Sequence, residues 1–253
     1  MYKRLTLVAF LIALLVTAKA QNASELYSKG QQYMAARHYK DALPVFEGLL
    51  KSDSSNINYL QYTAYLYSKV WHDANIDEDK KLTYYNKGRY LAIKAIKTDS
   101  NSAEAHYAYA FAIGVLNENA SHKQQIANAK LMKVEIDKCL KINPHHAGAY
   151  HILGRWYERL AELGGFDRFA MKTFYGSTLP EATYKDAEGA FEKAFLYEPD
   201  YILHQYELAV VYHKMDKNAD AKVWLQKAIQ ANYSGDDATD TKAKCQKLLS
   251  DLK

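Results

Sequence analysis

The chain has 253 residues, 49% hydrophobic and 25% charged, which is globular composition and excludes wholesale disorder. Lys plus Arg number 33 and Asp plus Glu 29. Three of the cations (Lys3, Arg4, Lys19) lie in a segment expected to be removed, leaving 30 against 29, with no basic excess for a nucleic-acid partner. Four prolines and 11 glycines leave few turns for an all-β fold, and 2 cysteines cannot build a disulfide framework. Tyrosine, with 22 copies, is the outlier.

Residues 1–20 read as a secretory leader. Lys3 and Arg4 start it, Leu5 to Val16 is apolar but for Thr6, and Ala18-Lys19-Ala20 offers an A-x-A cleavage site before Gln21. The apolar run is about 12 residues, short of the ~20 that cross a bilayer. The expected mature unit is 21–253, exported to a periplasmic or secreted location, with no integral span after cleavage. The alternative is an uncleaved segment that anchors the chain. Cys139 and Cys245 are expected as free thiols on helices.

From Ala23 onward the apolar residues follow helical spacing and the pattern recurs. Leu26, Gly30 and Tyr33 mark one helix, and Ala42, Phe46 and Leu49 a second. A shift of 34 residues, the tetratricopeptide period, gives Leu60, Ala64 and Tyr67, followed by Gly88, Ala92 and Ala95. A third copy runs through Ala108 and Phe111, then Met132, Ile136 and Cys139, ending at Pro144. The clearest copy has Tyr150, Leu153, Gly154 and Tyr157, then Ala187, Phe191 and Ala194, closed by Pro199. The last has Leu208, Ala209 and Tyr212, then Ala221, Leu225 and Ala228. The predicted fold is all-α: a tetratricopeptide-like α-solenoid of about five helix-pair repeats, starting near 23, 57, 101, 147 and 202. Starts more than 34 residues apart imply extended helices or ordered inserts, such as His72 to Asp79 and Asn117 to His122. A C-terminal helix from Asp236, capped by Thr239 or Asp240, is expected to cover the final repeat with Leu248, Leu249 and Leu252.

The pattern's chemistry is packing. Gly30, Ala64, Gly154, Ala209 and Ala221 stand where two helices cross closely, and a larger side chain there overpacks at roughly 1–3 kcal/mol. Tyr157, Ala187, Phe191, Ala194 and Pro199 complete the packing set of the fourth repeat, and aromatic rings fill gaps between repeats.

His146 to Ala228 is more specific than a generic repeat. It carries Leu153-Gly154-Arg155-Trp156, then Phe174-Tyr175-Gly176, Pro180, Ala182, Thr183, Asp186-Ala187, Phe191, Lys193-Ala194, Pro199, Ala221 and Trp224-Leu225. This stretch resembles the regulator of microtubule dynamics family, and the chain upstream fits it more loosely. The resemblance implies a helical solenoid without catalytic activity. It also suggests association with microtubules and organelle membranes, as described for the family's eukaryotic members. The leader departs from that pattern, since an exported protein does not meet microtubules.

Arg155 follows the crossing glycine on a first helix, the kind that lines the concave side of such arrays. His151 and Glu158 share its face. Tyr65, Tyr109, Tyr206 and His213 are read as equivalent positions of other repeats. Together they form a candidate groove for a protein or peptide partner, with Arg155 able to hold a carboxylate bidentately. The competing expectation is that Arg155 pairs with Glu158 or Asp167 and only ties down the insert Leu163 to Thr183. That insert, with Phe166, Phe169, Met171, Phe174 and Tyr175, is expected to fold back onto the array. No nucleotide loop, nucleophile motif or metal-ligand spacing occurs, so no enzyme, cofactor or metal is expected, and a monomer is favoured.

Overall fold

The computed structural model describes residues 21–72, 76–118, 120–164 and 181–252, with 169 and 172–173 of the insert. The leader, Asp167 and most of the insert lie outside the described residues.

Eleven helices follow one another among the described residues. Helix α1 covers 21–35, and α2 is Tyr39–Ser52. Then come α3 Ile57–His72, α4 Glu78–Thr98, α5 Ala103–Asn117 and α6 His122–Ile142. The remainder are α7 Ala147–Glu162, α8 Tyr184–Tyr197, α9 Ile202–Lys214, α10 Asn218–Gln230 and α11 Ala238–Asp251. They form five pairs plus a terminal helix, an all-helical array of the tetratricopeptide type. The extra length of the second and third repeats sits mainly in α4 and α6, at 21 residues each against 14 for α2 and α8.

Local sequence sets the boundaries. Asp77, Ser102, Ser121 and His146 accept hydrogen bonds from first-turn amides of α4, α5, α6 and α7. Thr183 and Asp186 make a reciprocal capping box that starts α8 after the insert. The terminal helix departs from expectation. Thr239 and Asp240 lie inside its first turn, and Asp237 occupies the cap position without a side-chain capping bond. The Asp237 carboxylate is engaged elsewhere, as described below.

The small residues sit at helix crossings. An added Cβ on Gly30 would meet the Phe46 ring at 2.8 Å, and one on Gly154 the Phe191 ring at 2.7 Å. Ala64, Ala187, Ala194, Ala209 and Ala221 are fully buried, while Tyr157 is half-buried. Leu252 is buried and Leu248 and Leu249 are half-buried against the last repeat, so α11 covers its open face. Cys139 and Cys245 are free and buried. Phe169 of the insert is 68% exposed, so this ring does not pack on the array as expected.

The array closes on itself. The α1–α2 turn meets the segments that flank α9 and α11. The Asp236 amide donates to the Arg37 carbonyl at 3.1 Å, and the Lys40 amide donates to Asp236 Oδ2 at 2.9 Å. Arg37 Nη2 reaches Glu198 Oε2 at 2.5 Å, and its guanidinium lies 4.1 Å over the Tyr201 ring. Asp237 accepts from the Tyr201 and Tyr233 hydroxyls at 2.7 and 2.6 Å and faces Lys69 Nζ of α3 at 3.5 Å. Arg37 has φ 57°, a left-handed conformation that costs a non-glycine residue energy, and these contacts hold it there.

Candidate functional site

Where the ends meet, the concave face forms a half-open cavity. It has a volume of about 600 Å3 and takes residues from α1, α3, α5, α7 and α9 and from the α8–α9 turn. Such a volume is within the roughly 300–1,000 Å3 of pockets that hold small ligands. Met34, Phe111, Ile152 and Leu203 supply apolar wall, and Tyr39, Tyr62, Tyr65, Tyr107 and Tyr201 bring phenol rings. Tyr65 packs edge-on to Tyr39 at 5.7 Å and to Phe111 at 5.0 Å. Burial pushes the hydroxyls of Tyr39, Tyr65, Tyr107 and Tyr201 well above the usual phenol range, so they stay neutral donors.

Basic groups gather at one end. His151 Nδ1 and His204 Nδ1 are 3.0 Å apart, and His204 Nε2 is 3.7 Å from Glu198 Oε2. One tautomer arrangement serves both contacts: His151 donates through Nδ1, and His204 accepts there and turns its Nε2–H toward Glu198. Burial, then the nearby His204, Arg155 and Lys69, pushes the His151 imidazole well below its usual range. Burial also lowers His204, against the pull of Glu198. His146 accepts from the Ala149 amide through Nδ1 at 3.1 Å and turns Nε2 toward Glu104 Oε1 at 3.2 Å.

The residues expected in the groove divide. Tyr65 and His151 line the cavity. Arg155 and Glu158 lie further along α7, outside the lining. Arg155 Nη1 is 3.2 Å from Glu207 Oε2 and 3.5 Å from Glu158 Oε2, so the expected pairing with Glu158 is present and a second carboxylate joins it from α9. Glu158 and Glu207 are buried, while the Arg155 side chain is half exposed. Burial, then repulsion from Glu207, pushes the Glu158 carboxyl up to about 7.

Three candidates are corrected. Tyr109 is half-buried against the core and does not line the cavity. Tyr107 and Phe111 take that role, because Ala105, Ala108, Ala110 and Ala112 are all fully buried and the small crossing residue cannot be told from its neighbours. Tyr206 packs half-buried in the cluster of the last repeat and α11. His213 is exposed at the end of α9, where its Nδ1 contacts Asn218 Oδ1 at 2.8 Å. Among the described residues, no group of three or more His, Cys, Asp and Glu could hold a metal, and no helix is long and apolar enough to cross a membrane.

Arg37, Lys69, Tyr107, His146, Glu198, Tyr201 and His204 were not singled out by their spacing. The buried partners did leave a trace, since His204, Gln205 and Glu207 are polar residues between Ile202 and the apolar run from Leu208 of α9, which signals pairing.

Helix pairs with small residues at their crossings, stacked so that first helices line a concave face, define a tetratricopeptide-type α-solenoid. The fold is similar to a tetratricopeptide-repeat protein of Thermus thermophilus, with a TM-score of 0.62 over 88% of this chain and 98% of that one at 17% identity. The family model described as Regulator of microtubule dynamics protein 1-3 matches residues 19–253, and the chain belongs to that family. Regulator of microtubule dynamics protein 1 of Bos taurus is 32% identical over 153 residues, which is 60% of this chain and 48% of that protein. Regulator of microtubule dynamics protein 3 of Mus musculus is 27% identical over 199 residues, 78% of this chain and 41% of that protein. The chain spans about half or less of the length of these relatives.

Proposed function

We propose that the protein is a non-enzymatic interaction scaffold that holds a short segment of a protein partner in its concave cavity. The observation that carries this reading is the cavity itself. Five successive first helices contribute polar and aromatic side chains to one shared space. A space of about 600 Å3 suits a short extended segment better than a helix, whose diameter with side chains is about 10–12 Å. Arg155, backed by the buried Glu158, and Tyr206 adjoin the cavity and act as secondary contacts to the same partner. Export by the leader at 1–20 completes the proposal.

The test is selection of a displayed library of short peptides on the purified chain, with Leu203→Trp as the cavity-filling control. Enrichment of a peptide motif that Leu203→Trp loses, with helical circular dichroism unchanged, is expected. Equal enrichment by both proteins would place binding elsewhere.

Family membership supports a second reading, in which an uncleaved N-terminal segment anchors the chain and the array meets microtubules. Saturable co-sedimentation with microtubules that weakens with salt supports this reading. A native N-terminus at Gln21 in an exported fraction excludes it.

A further inference from the structure

Positive charge is concentrated on two helices. Helix α4 carries six Lys and Arg against two Asp and Glu, and α6 carries five against two. Of the 30 cations and 29 acids in 21–253, these helices hold 11 and 4, which leaves 19 and 25 for everything else. They are also the extended helices, longer than α2 and α8 by about two turns. Both pack against α5 and neither lines the cavity, so they flank one helix on the outer side of the array.

The acids on these helices, Asp79 apart, are already paired. Lys81 meets Glu78 at 3.0 Å, Lys133 meets Asp137 at 2.7 Å, and Lys138 meets Glu135 at 2.8 Å. Lys80, Arg89 and Lys97 of α4 and Lys123, Lys130 and Lys141 of α6 are exposed and make no ion pair among the described residues.

The same surface carries apolar side chains where the solvent face of a helix is ordinarily polar. Steps of three and four residues from Lys123 through Ala127, Lys130, Val134 and Lys138 to Lys141 trace one exposed stripe of α6, with Leu131 beside it. Val134 is 42% exposed and Leu131 37%. On α4 the stripe from Lys80 through Lys87 to Lys97 has Tyr90 in its middle, 65% exposed. These cations are strung along two rods of about 30 Å each, which suits an extended anionic surface rather than a compact anion. Ten of the 11 are Lys, a point charge, and not the Arg fork that reads phosphate geometry in nucleic acids. Leu131, Val134 and Tyr90 gain little on a soluble polyanion but are buried at the headgroup–acyl boundary of a bilayer.

We propose that the outer faces of α4 and α6 dock the array on a bilayer rich in anionic lipid headgroups. The unpaired lysines meet the headgroups, and Leu131, Val134 and Tyr90 enter the interface. The concave side then points away from the bilayer.

The experiment floats the full chain with vesicles of phosphatidylcholine alone, or with about 30% phosphatidylglycerol, at about 0.1 and 0.5 M salt. Lys130→Glu with Lys141→Glu reverses charge on the α6 stripe. Lys51→Glu with Lys247→Glu makes the same charge change at exposed positions of α2 and α11. All three proteins carry the same N-terminal segment, so its own affinity for lipid cancels between them. Wild type and the α2/α11 variant are expected to bind the anionic vesicles more tightly than pure phosphatidylcholine, and to lose that difference at the higher salt. The α6 variant is expected to bind the anionic vesicles about tenfold more weakly or worse, with unchanged circular dichroism. Val134→Ser keeps every charge and is expected to weaken vesicle binding severalfold, the mark of an apolar contact. Absence of any preference for anionic lipid, or a preference that the α6 variant keeps in full, would overturn the proposal. Binding of heparin or duplex DNA at the strength of the anionic vesicles, with Val134→Ser changing none of them, would make the face a general polyanion site and overturn the bilayer claim. Should the α6 variant not fold, Lys80→Glu with Lys97→Glu on α4 takes its place under the same criteria.

Discussion

Gly154→Ala tests the packing logic on which the repeats rest. The added Cβ would lie 2.7–2.8 Å from three atoms of the Phe191 ring, whereas ordinary contact begins near 3.4 Å, so the ring must retreat by about 0.7 Å. Phe191 is fully buried among Ala187, Leu208 and Val211, with His151 edge-on to it at 5.6 Å, so the ring has nowhere to go without moving the next repeat. Overpacking of this kind costs about 1–3 kcal/mol. Replacing glycine by alanine inside a helix returns about 0.8–1 kcal/mol. The net loss is therefore about 0–2 kcal/mol. Gly189, in the facing helix α8, is the internal control. A Cβ there meets nothing within 4 Å, so Gly189→Ala should gain up to about 1 kcal/mol. Equilibrium urea unfolding followed by circular dichroism reads both, and the gap between the two variants should be about 1–3 kcal/mol. Equal stabilisation by both substitutions would refute the close crossing at Gly154.

Further outcomes follow from the buried charges. Glu158 titrates near 7 in the fold, above its ordinary value of 4.5, so its contribution to stability is full below about pH 4.5 and is lost as pH rises through 7. Glu158→Gln should thus be more stable than wild type at pH 8 by about 1–3 kcal/mol, with the difference vanishing toward pH 4.5, as urea midpoints across pH will show. His204 is held below its ordinary 6.5 by burial, so its contribution is present above that value and is lost as pH falls toward the folded value. His204→Asn should flatten the acid limb of the stability profile below about pH 6.5, and an unchanged limb would show that another group drives it. Asp237→Ala removes the acceptor for the Tyr201 and Tyr233 hydroxyls and a carboxylate beside Lys69, all near the junction of the chain's ends. It should cost about 3 kcal/mol or more, measured by the same unfolding assay.

What the sequence showed depended on whether the signal was local. The helix pairs were legible because small and apolar residues keep helical spacing within each helix, as Leu26, Gly30 and Tyr33 do, and α3, α7 and α9 begin where the repeat pattern places them. Register was lost in α5, where Ala105, Ala108, Ala110 and Ala112 are all buried and four small residues compete for one crossing position. That slip put Tyr109 in the groove in place of Tyr107 and Phe111. The closure was not legible at all. Its partners are distant in the chain, Lys40 and Asp236 by 196 residues, and no period links them. Arg155 was recognised, but its strongest partner, Glu207, lies on the next first helix and is found only by stacking two repeats in space.

The central claim is that the two ends of the array meet and make the concave face a cavity. Disulfide trapping with His38→Cys and Asp236→Cys tests it most directly. The native side chains approach to 4.0 Å and the Asp236 amide donates to the Arg37 carbonyl, so the two positions are neighbours across the junction of the chain's ends. Mild oxidation of the folded monomer should form the intramolecular bond in most molecules, read as faster migration on a denaturing gel and lost on reduction. Thiols that stay free, or that pair only between molecules, would show that the ends stand apart and the concave face is open.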